Sequence, residues 1–381
     1  MSGRNIRIYG IDYWPDVTGI APYTTGFAEY LVEQGDRVDV ITGMPYYPEW
    51  KVKSGYERKL RLTETRNGVT IHRRRQYIPA KQSALHRAGY EATFFAHSML
   101  PAKLPRPDLI IGVSPALADG LAAARDARKH RVPFTLWMQD LLGQSATQSG
   151  VAGGHRIAAQ TARLEGWVAR QADSVAIIAE GFRQPLERLG VAPDRIHRVH
   201  NWTHISKPTL EVEETRAALG WPQDKTICLH AGNMGLKQGL ENVIDCARLA
   251  LDSAPHLFFI LMGHGSQRAM LEQYAKGLPN VHFHDPVDND MFPNALHAAD
   301  VLLINQRGSV TDMSLPSKLT SYLAAGRPIV AAVNQNSECA RVVSARVAVV
   351  LTDRPCSLLT TVLQKSSKCN PITSTVSSVS Q

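Results

Sequence analysis

The sequence predicts an α/β protein built from two doubly wound domains, and three observations predict it. Short apolar runs alternate with helix-like stretches along most of the chain, the pattern of β-α-β units around a mostly parallel sheet. The scheme runs through twice, divided by a polar stretch around 201–208 that carries no long apolar pattern. The length of 381 residues, 44% of them apolar and 20% charged, leaves room for two cores of roughly 150 to 200 residues each. The same composition excludes collagen-like, disulfide-dense and wholly disordered classes.

Taken in order, residues 6–11 read as a first strand, followed by a loop over 12–18 in which Thr18 can cap a helix running from about Ala21 to Glu33. Gly35 stops that helix, and Arg37 to Thr42 is the second strand. Residues 69–73, 109–113, 134–138 and 174–179 complete the first set. The second set is 226–231, 257–262, 281–284, 301–304 and 329–333. This gives an N-terminal domain over 1–205, a C-terminal domain over 206–352 and an atypical tail over 353–381. The tail is Ser/Thr-rich from Ser366 onward and is expected not to pack. The two domains are expected to face each other across a cleft. In such sheets ligands lie beyond the carboxyl ends of the strands, which directs attention to the loops that follow them.

Charge is distributed unevenly. The net +8 falls in residues 1–205, with 27 Lys and Arg against 19 Asp and Glu, whereas 206–381 holds 15 of each. Residues 51–106 alone hold 13 basic and 3 acidic residues, with Arg73, Arg74 and Arg75 at their centre. An excess of this kind permits an acidic partner without choosing one. Beside it, Tyr90/Phe94 and Phe95/Met99 are i,i+4 pairs that would share a helix face. Two readings stay open: that face and its basic surroundings meet an anionic membrane surface, or the aromatics enter the core and the basic residues are solvated. No nucleic-acid motif accompanies the charge, so nucleic acid is not expected as a partner. The five cysteines show neither C-x-x-C nor metal-ligand spacing, residues 1–9 lack signal-peptide order, and no apolar run approaches 18 residues. The expectation is a cytoplasmic protein, free or peripheral on the inner face of the membrane, with no metal site.

Four loops can carry chemistry. Gly10 to Gly19 follows the first strand but lacks G-x-G-x-x-G, which removes most support for a nicotinamide enzyme. Gly19 still lets an anion approach backbone at a helix start. Ala231 to Gly239 is A-G-N-M-G-L-K-Q-G: Gly232, Gly235 and Gly239 open the backbone, Asn233 offers an amide and Lys237 a cation. Backbone N–H groups plus a compact positive charge are what a diphosphate needs. In the third loop, Ser317 and Lys318 sit near a helix start, where they can meet phosphate or ribose oxygens; Pro316 equally marks only the helix start. In the fourth, Gln139 and Asp140 end a strand, where a carboxylate can position a hydroxyl, accept a proton, or simply cap a helix.

These words in this order resemble the GT-B glycosyltransferases of family 4, in particular the group containing colanic acid biosynthesis enzymes and bacterial fucosyl- and N-acetylfucosaminyltransferases. The resemblance is carried by Y-G-I-D-Y-W-P-D-V-T-G-I-A-P-Y-T at 9–24, M-P-Y-Y-P-E-W at 44–50, W-M-Q-D at 137–140, A-G-N-M-G-L-K-Q-G-L-E-N-V-I at 231–244 and L-P-S-K-L-T-S-Y-L-A-A-G-R-P at 315–328. It covers about residues 5 to 345. It implies two Rossmann-like domains, with a UDP- or GDP-linked sugar as co-substrate held by the second. The acceptor, a glycan that can be polyprenyl-diphosphate-linked, is held by the first. Transfer would retain the anomeric configuration and use no metal or cofactor, in the synthesis of an exopolysaccharide or surface polysaccharide. By the same resemblance Gly19 meets the donor diphosphate from the opposite domain, and Lys237 and nearby backbone neutralise the departing diphosphate. Ser317 and Lys318 lie on its phosphate or ribose side, Asp285 to Val287 meet the base, and Gln139 and Asp140 lie near the transferred sugar. The alternatives are a non-catalytic nucleotide-sugar-binding protein of the same fold and a sugar-nucleotide epimerase.

The sequence departs from the family in three places. Gly232 stands where many members carry the Arg of an Arg-x4-Lys pair, and Ser321 stands where they carry a ribose-binding Glu. After about Val350 the expected Gly-rich turn, strand and pair of helices are not evident, so the second domain is expected to be truncated or altered.

Overall fold

The computed structural model describes residues 3–17, 19–47, 49–79, 84–100, 104–141, 154–203, 205–308, 317–344 and 348–351. The chain divides into two compact units, residues 1–202 and 203–381.

The first unit is built on eight strands: β1 (Asn5–Tyr9), β2 (Arg37–Gly43), β3 (Arg61–Arg66), β4 (Val69–Arg74), β5 (Leu109–Ser114), β6 (Phe134–Met138), β7 (Ser174–Ile177) and β8 (Ile196–Arg198). Their order across the sheet is β3-β4-β2-β1-β5-β6-β7-β8. Every neighbouring pair is parallel except β3 with β4, an antiparallel edge hairpin turned at Asn67-Gly68. The central strands are nearly continuous apolar runs, as sheets covered on both faces require. Helix α1 (Ala21–Glu33) starts with Pro22 in its first turn, a position where the missing N–H costs nothing. Thr18, the expected cap, lies outside the described residues. Helix α2 (Ala84–Ser98) packs on α3 (Leu117–His130), which lies against β5 and β1. Helices α4 (Gly154–Gln171) and α5 (Arg183–Arg188) follow.

The second unit has six parallel strands, β9 (Thr226–Ala231), β10 (Leu257–Met262), β11 (Val281–His284), β12 (Val301–Asn305), β13 (Ile329–Ala332) and β14 (Ala348–Leu351), ordered β11-β10-β9-β12-β13-β14. Its helices are α6 (Val212–Leu219), α7 (Glu241–Ser253), α8 (Arg268–Tyr274), α9 (Met291–Ala298), α10 (Ser317–Ala325) and α11 (Glu338–Ser344). One core layer holds Val243, Ile244, Ala247, Phe259 and Leu261; the other holds Leu229, Ile260, Leu302, Leu319 and Tyr322. Residues 352–381, including the atypical tail, lie outside the described residues.

Strands β3, β8 and β14 were not anticipated. β3 reads R-L-T-E-T-R, a polar edge strand with one half-buried face and no apolar run to mark it. The aromatic helix resolves in favour of the core: Tyr90 and Phe94 are buried against Ile11, Tyr46, Ala116 and Ala118, with Phe95 packed at the margin. Arg73 and Arg74 correct the expectation that the triple-arginine run faces a membrane. Both sit on β4 with side chains folded inward. Arg73 donates to the Glu64 carboxylate at 2.5 Å and to the carbonyls of Trp14 at 2.6 Å and Gly43 at 3.2 Å. Arg74 donates to the Arg73 carbonyl at 3.1 Å. Only Arg75 of the three reaches the surface, where it borders a cleft of about 450 Å3 with Trp50, Lys51, Tyr77 and His97. No helix among the described residues is long and apolar enough to cross a membrane.

Candidate functional site

A doubly wound sheet has one place where successive crossovers depart in opposite directions, and there the loops after adjacent strands splay apart to leave a crevice. In the second unit this is the end of β9, beside β12. The loop after β9 begins at Gly232, with φ +134°. Its amide donates to the Met262 carbonyl at 2.9 Å, and Met234 donates to the His264 carbonyl at 2.8 Å, so the loops after β9 and β10 run hand in hand. The fit is tight. A Cβ on Gly263 would lie 2.0 Å from the Gly232 oxygen, and one on Gly265 would lie 2.4 Å from the Met234 oxygen. Both glycines have positive φ, +143° and +157°. Residues 236–238, which include Lys237, form a 3-10 turn ended by Gly239 at φ +55°. The Asn305 amide at the end of β12 fastens this turn by donating to the carbonyls of Gln238 at 2.7 Å and Gly239 at 2.8 Å. Gly232, Asn233 and Lys237 remain exposed on the loop, with Gly235 half-buried.

Lys318, near the start of α10, comes to the same loop. Its Nζ and Cε lie 3.5 Å from where a Cβ on Gly232 would be, and its Nζ is 3.3 Å from Nε2 of His230. One turn further along α10, the Tyr322 hydroxyl accepts from the Ala231 amide at 2.8 Å and donates back to the Ala231 carbonyl at 3.3 Å, fixing the helix to the strand end. Burial lowers the Lys318 pKa from its ordinary value to about 7. Burial, and then the charge of Lys318, press His230 well below the ordinary imidazole value, so its ring is neutral at pH 7. Two separated stretches of sequence, 231–239 and 317–318, are thus brought to one place, although the Ser317 side chain lies outside the described residues. Asp285 is exposed at the end of β11 and pairs with Arg268 at 2.5 Å; Arg268 also donates to the Gly263 carbonyl at 2.8 Å, linking Asp285 to the loop after β10. Val287 packs at the edge of the core rather than on this loop. A cleft of about 410 Å3 opens beyond β12 at the start of α7, bordered by Glu241, Asn305 and Arg307.

The corresponding point in the first unit lies between β1 and β5, and its chemistry is different. Asp12 accepts from the Tyr46 hydroxyl at 3.0 Å and the Tyr90 hydroxyl at 3.5 Å, and those two hydroxyls are 2.9 Å apart. Asp119, fully buried in the first turn of α3, accepts from the Ile11 amide at 3.0 Å. Burial, opposed in part by that bond, pushes its pKa well above the ordinary carboxylate value. Glu91 accepts from the Leu117 and Ala118 amides at 2.8 and 3.4 Å and so caps α3. Gly19 is exposed at φ +67° just before α1. Gln139 is buried, and its side-chain amide exchanges two hydrogen bonds with that of Asn201 at 2.8 and 3.1 Å, which occupies both of its polar ends. Asp140 accepts from the Leu141 amide at 2.8 Å and, through its carbonyl, from Ser114 at 3.2 Å.

Sequence reasoning passed over His230, Asn305, Asp12 and Asp119. His230 had a signal: a polar residue in the otherwise apolar strand T-I-C-L-H-A, next to the glycine loop. Among the described residues no group of three His, Cys, Asp or Glu side chains could hold a metal ion.

Two Rossmann-like units, one presenting a glycine-lined, lysine-bearing loop at its switch point, define the GT-B class of transferases. The chain belongs to the GT-B glycosyltransferases of family 4. Residues 18–202 match the model of the glycosyl transferase 4-like domain and residues 225–364 that of glycosyl transferases group 1. The chain is 34% identical over 333 residues to the colanic acid biosynthesis glycosyl transferase WcaI of Escherichia coli (strain K12), covering 84% of this chain and 81% of that one. Among solved structures it resembles HepE of Anabaena in complex with UDP, with TM-score 0.65 and 14% identity over 95% of this chain and 89% of that one. It also resembles WaaG, a glycosyltransferase involved in lipopolysaccharide biosynthesis, with TM-score 0.63 and 16% identity over 95% and 90%. The protein is a glycosyltransferase of polysaccharide biosynthesis.

Proposed function

We propose that this enzyme transfers a sugar from a UDP- or GDP-linked donor to a glycan acceptor, with retention at the anomeric carbon and without a metal or cofactor. The observation that carries the donor half is the convergence of Lys318 on the open backbone loop at Gly232, a lysine beside exposed glycine backbone of the kind a diphosphate needs. HepE, a structural neighbour, was solved with UDP and with UDP-glucose, which fits that reading. The acceptor is assigned to the first unit, whose loop after β1 carries the half-buried Asp12 at the switch point. Catalysis would rest on positioning and on charge stabilisation of the departing diphosphate, with Lys237 and Lys318 as the nearby cations.

In this reading Gly19 admits the donor diphosphate, Asn233 supplies a side-chain amide to it, Gly232 and Gly235 keep the backbone open to it, and Asp285 and Ser317 border base and ribose. Asp140, whose carboxylate accepts from the Leu141 amide, borders the transferred sugar beside Gln139, which is held by Asn201. The acceptor is lipid-linked, and the protein meets the anionic inner membrane surface through residues of the basic segment such as the exposed Lys51 and the half-buried Arg75. A thermal-shift screen against UDP- and GDP-sugars, followed by transfer to a polyprenyl-diphosphate-linked glycan, tests the reading. Stabilisation by one nucleotide class and a product of unchanged anomeric configuration are expected; inversion, or no stabilisation by either class, overturns it. Flotation with anionic vesicles should weaken in Lys51→Glu/Arg75→Glu; unchanged flotation removes the membrane surface assigned here.

A further inference from the structure

Donor binding of the kind just described asks for a cation and open backbone, and neither need explains a buried histidine. His230 has no exposed surface, yet it sits at the end of an otherwise apolar strand, with Nε2 3.3 Å from the Lys318 ammonium. A neutral imidazole offers one lone-pair nitrogen. Towards the lysine in its ammonium form, the nitrogen that faces it is that one, because an N–H directed at an ammonium would be repelled. Gly232 contributes the second constraint: a side chain longer than a methyl at this position would compete with Lys318 for space. Tyr322 contributes the third, since its two hydrogen bonds to Ala231 hold α10, and with it Lys318, at a fixed height above the strand end. The cation that many relatives would carry at position 232 therefore arrives from a different element and is held by a different partner.

We propose that His230 is a positioning residue that seats Lys318 over the Gly232 loop, and that Lys318 takes up a proton as the donor diphosphate binds. The proposal rests on the reading that the second unit takes a nucleoside diphosphate. The groups that face the lysine come from three elements. His230 on β9 is neutral, and so is Tyr322 on α10, whose phenol burial drives upward. On α11, Cys339 is a thiol pushed up to about 12 by burial, while Glu338 is paired with Arg341 at 2.6 Å. Among the described residues no carboxylate is ion-paired with Lys318. An amine in such surroundings is short of charge compensation, and an arriving anion supplies it, favouring the ammonium. The sign follows. With a pKa near 7 in the ligand-free protein, the lysine is largely neutral at pH 8, and binding of a fully ionised diphosphate takes up close to one proton. At pH 6 the lysine is already charged and little is taken up.

Calorimetric titration with UDP and with GDP at pH 8, in two buffers of different ionisation enthalpy, reads the proton directly. Lys318→Met should abolish the uptake and weaken binding roughly ten- to a hundredfold, the range of a charge-assisted hydrogen bond. His230→Leu should weaken binding several-fold, and His230→Gln, which restores an acceptor, should recover most of it. In the ligand-free protein, the pH profile of Lys318 acetylation, read by mass spectrometry, should move to lower pH in His230→Leu because the ammonium loses its acceptor. Nucleotide binding without proton uptake at pH 8, or an acetylation profile unchanged in His230→Leu, overturns the proposal. Failure of both UDP and GDP to bind the folded wild type defeats the donor reading instead, and the acetylation profile still decides the pairing of His230 with Lys318.

Discussion

The two units share an architecture but line their switch points with opposite chemistry. In the second, four glycines with positive φ, an exposed loop, a mostly buried lysine and a neutral histidine leave an open backbone with lysine side chains beside it. In the first, the same position is closed by side chains: a half-buried aspartate under two tyrosine hydroxyls, a buried acid with a raised pKa and a glutamate spent on a helix cap. The fold supplies a crevice at each switch point; the loop residues decide what each crevice tolerates. A diphosphate would meet carboxylates at the first, where the nearby Lys53 is already paired with Asp16. An uncharged polyol would find little but backbone at the second. A transferase needs both environments, and duplicated scaffolds with divergent loops provide them.

The strongest way to break the contrast is to fill the glycine-lined side. Gly263→Ala places a Cβ against the Gly232 oxygen in a backbone conformation that alanine resists. It should destabilise the second unit by about 2–4 kcal/mol and abolish nucleotide binding, seen as a lowered thermal transition insensitive to UDP or GDP. Next, Lys237→Ala should lower kcat roughly ten- to a hundredfold with a smaller change in donor KM, as expected of a charge that acts on the leaving group; steady-state kinetics separates the two.

On the acidic side, Asp119→Asn should stabilise the first unit at pH 7.5 by about 1–3 kcal/mol. The sign follows from linkage. The folded-state pKa is raised, so the wild-type carboxyl contributes its full stability below the unfolded value, near pH 4, and loses it as pH rises towards the folded one. Urea unfolding at pH 4 and pH 7.5 should show the advantage of the amide growing with pH. The smallest effect is that of Glu91→Gln, which keeps an acceptor at the start of α3 but removes the charge: about 0.5–1 kcal/mol lost, screened by salt.

Much of this was legible in the sequence because it is written locally. Strand 257–262 is an uninterrupted apolar run, 226–231 is one but for Thr226 and His230, and helix 21–33 is bounded by Pro22 and Gly35. The glycine loop announced itself, and Lys318 was singled out by its place after Pro316. Their meeting was not legible, because nothing local links residue 232 to residue 318. The direction of Arg73 was hidden for a related reason: three consecutive arginines read as surface, yet β4 is covered by the β3 hairpin, whose Glu64 receives the guanidinium. Strand β3 itself carries no apolar period to reveal it. Asp119 and His230 were invisible as a pair of opposites, since only burial moves the pKa of one up and that of the other down.

The touching loops after β9 and β10 also bear on how variation in this family should be read. Gly263 and Gly265 would stand out as invariant columns wherever the two loops keep this approach, and a survey of substitutions would score them beside Gly232 as ligand contacts. Their constraint is of another kind. It comes from the carbonyl oxygens of residues 232 and 234, and it would persist in a descendant that had lost all interest in nucleotides. Invariance at 263 and 265 therefore marks kinship of scaffold, whereas the pairing of residue 230 with residue 318 is where a change of substrate would leave its trace.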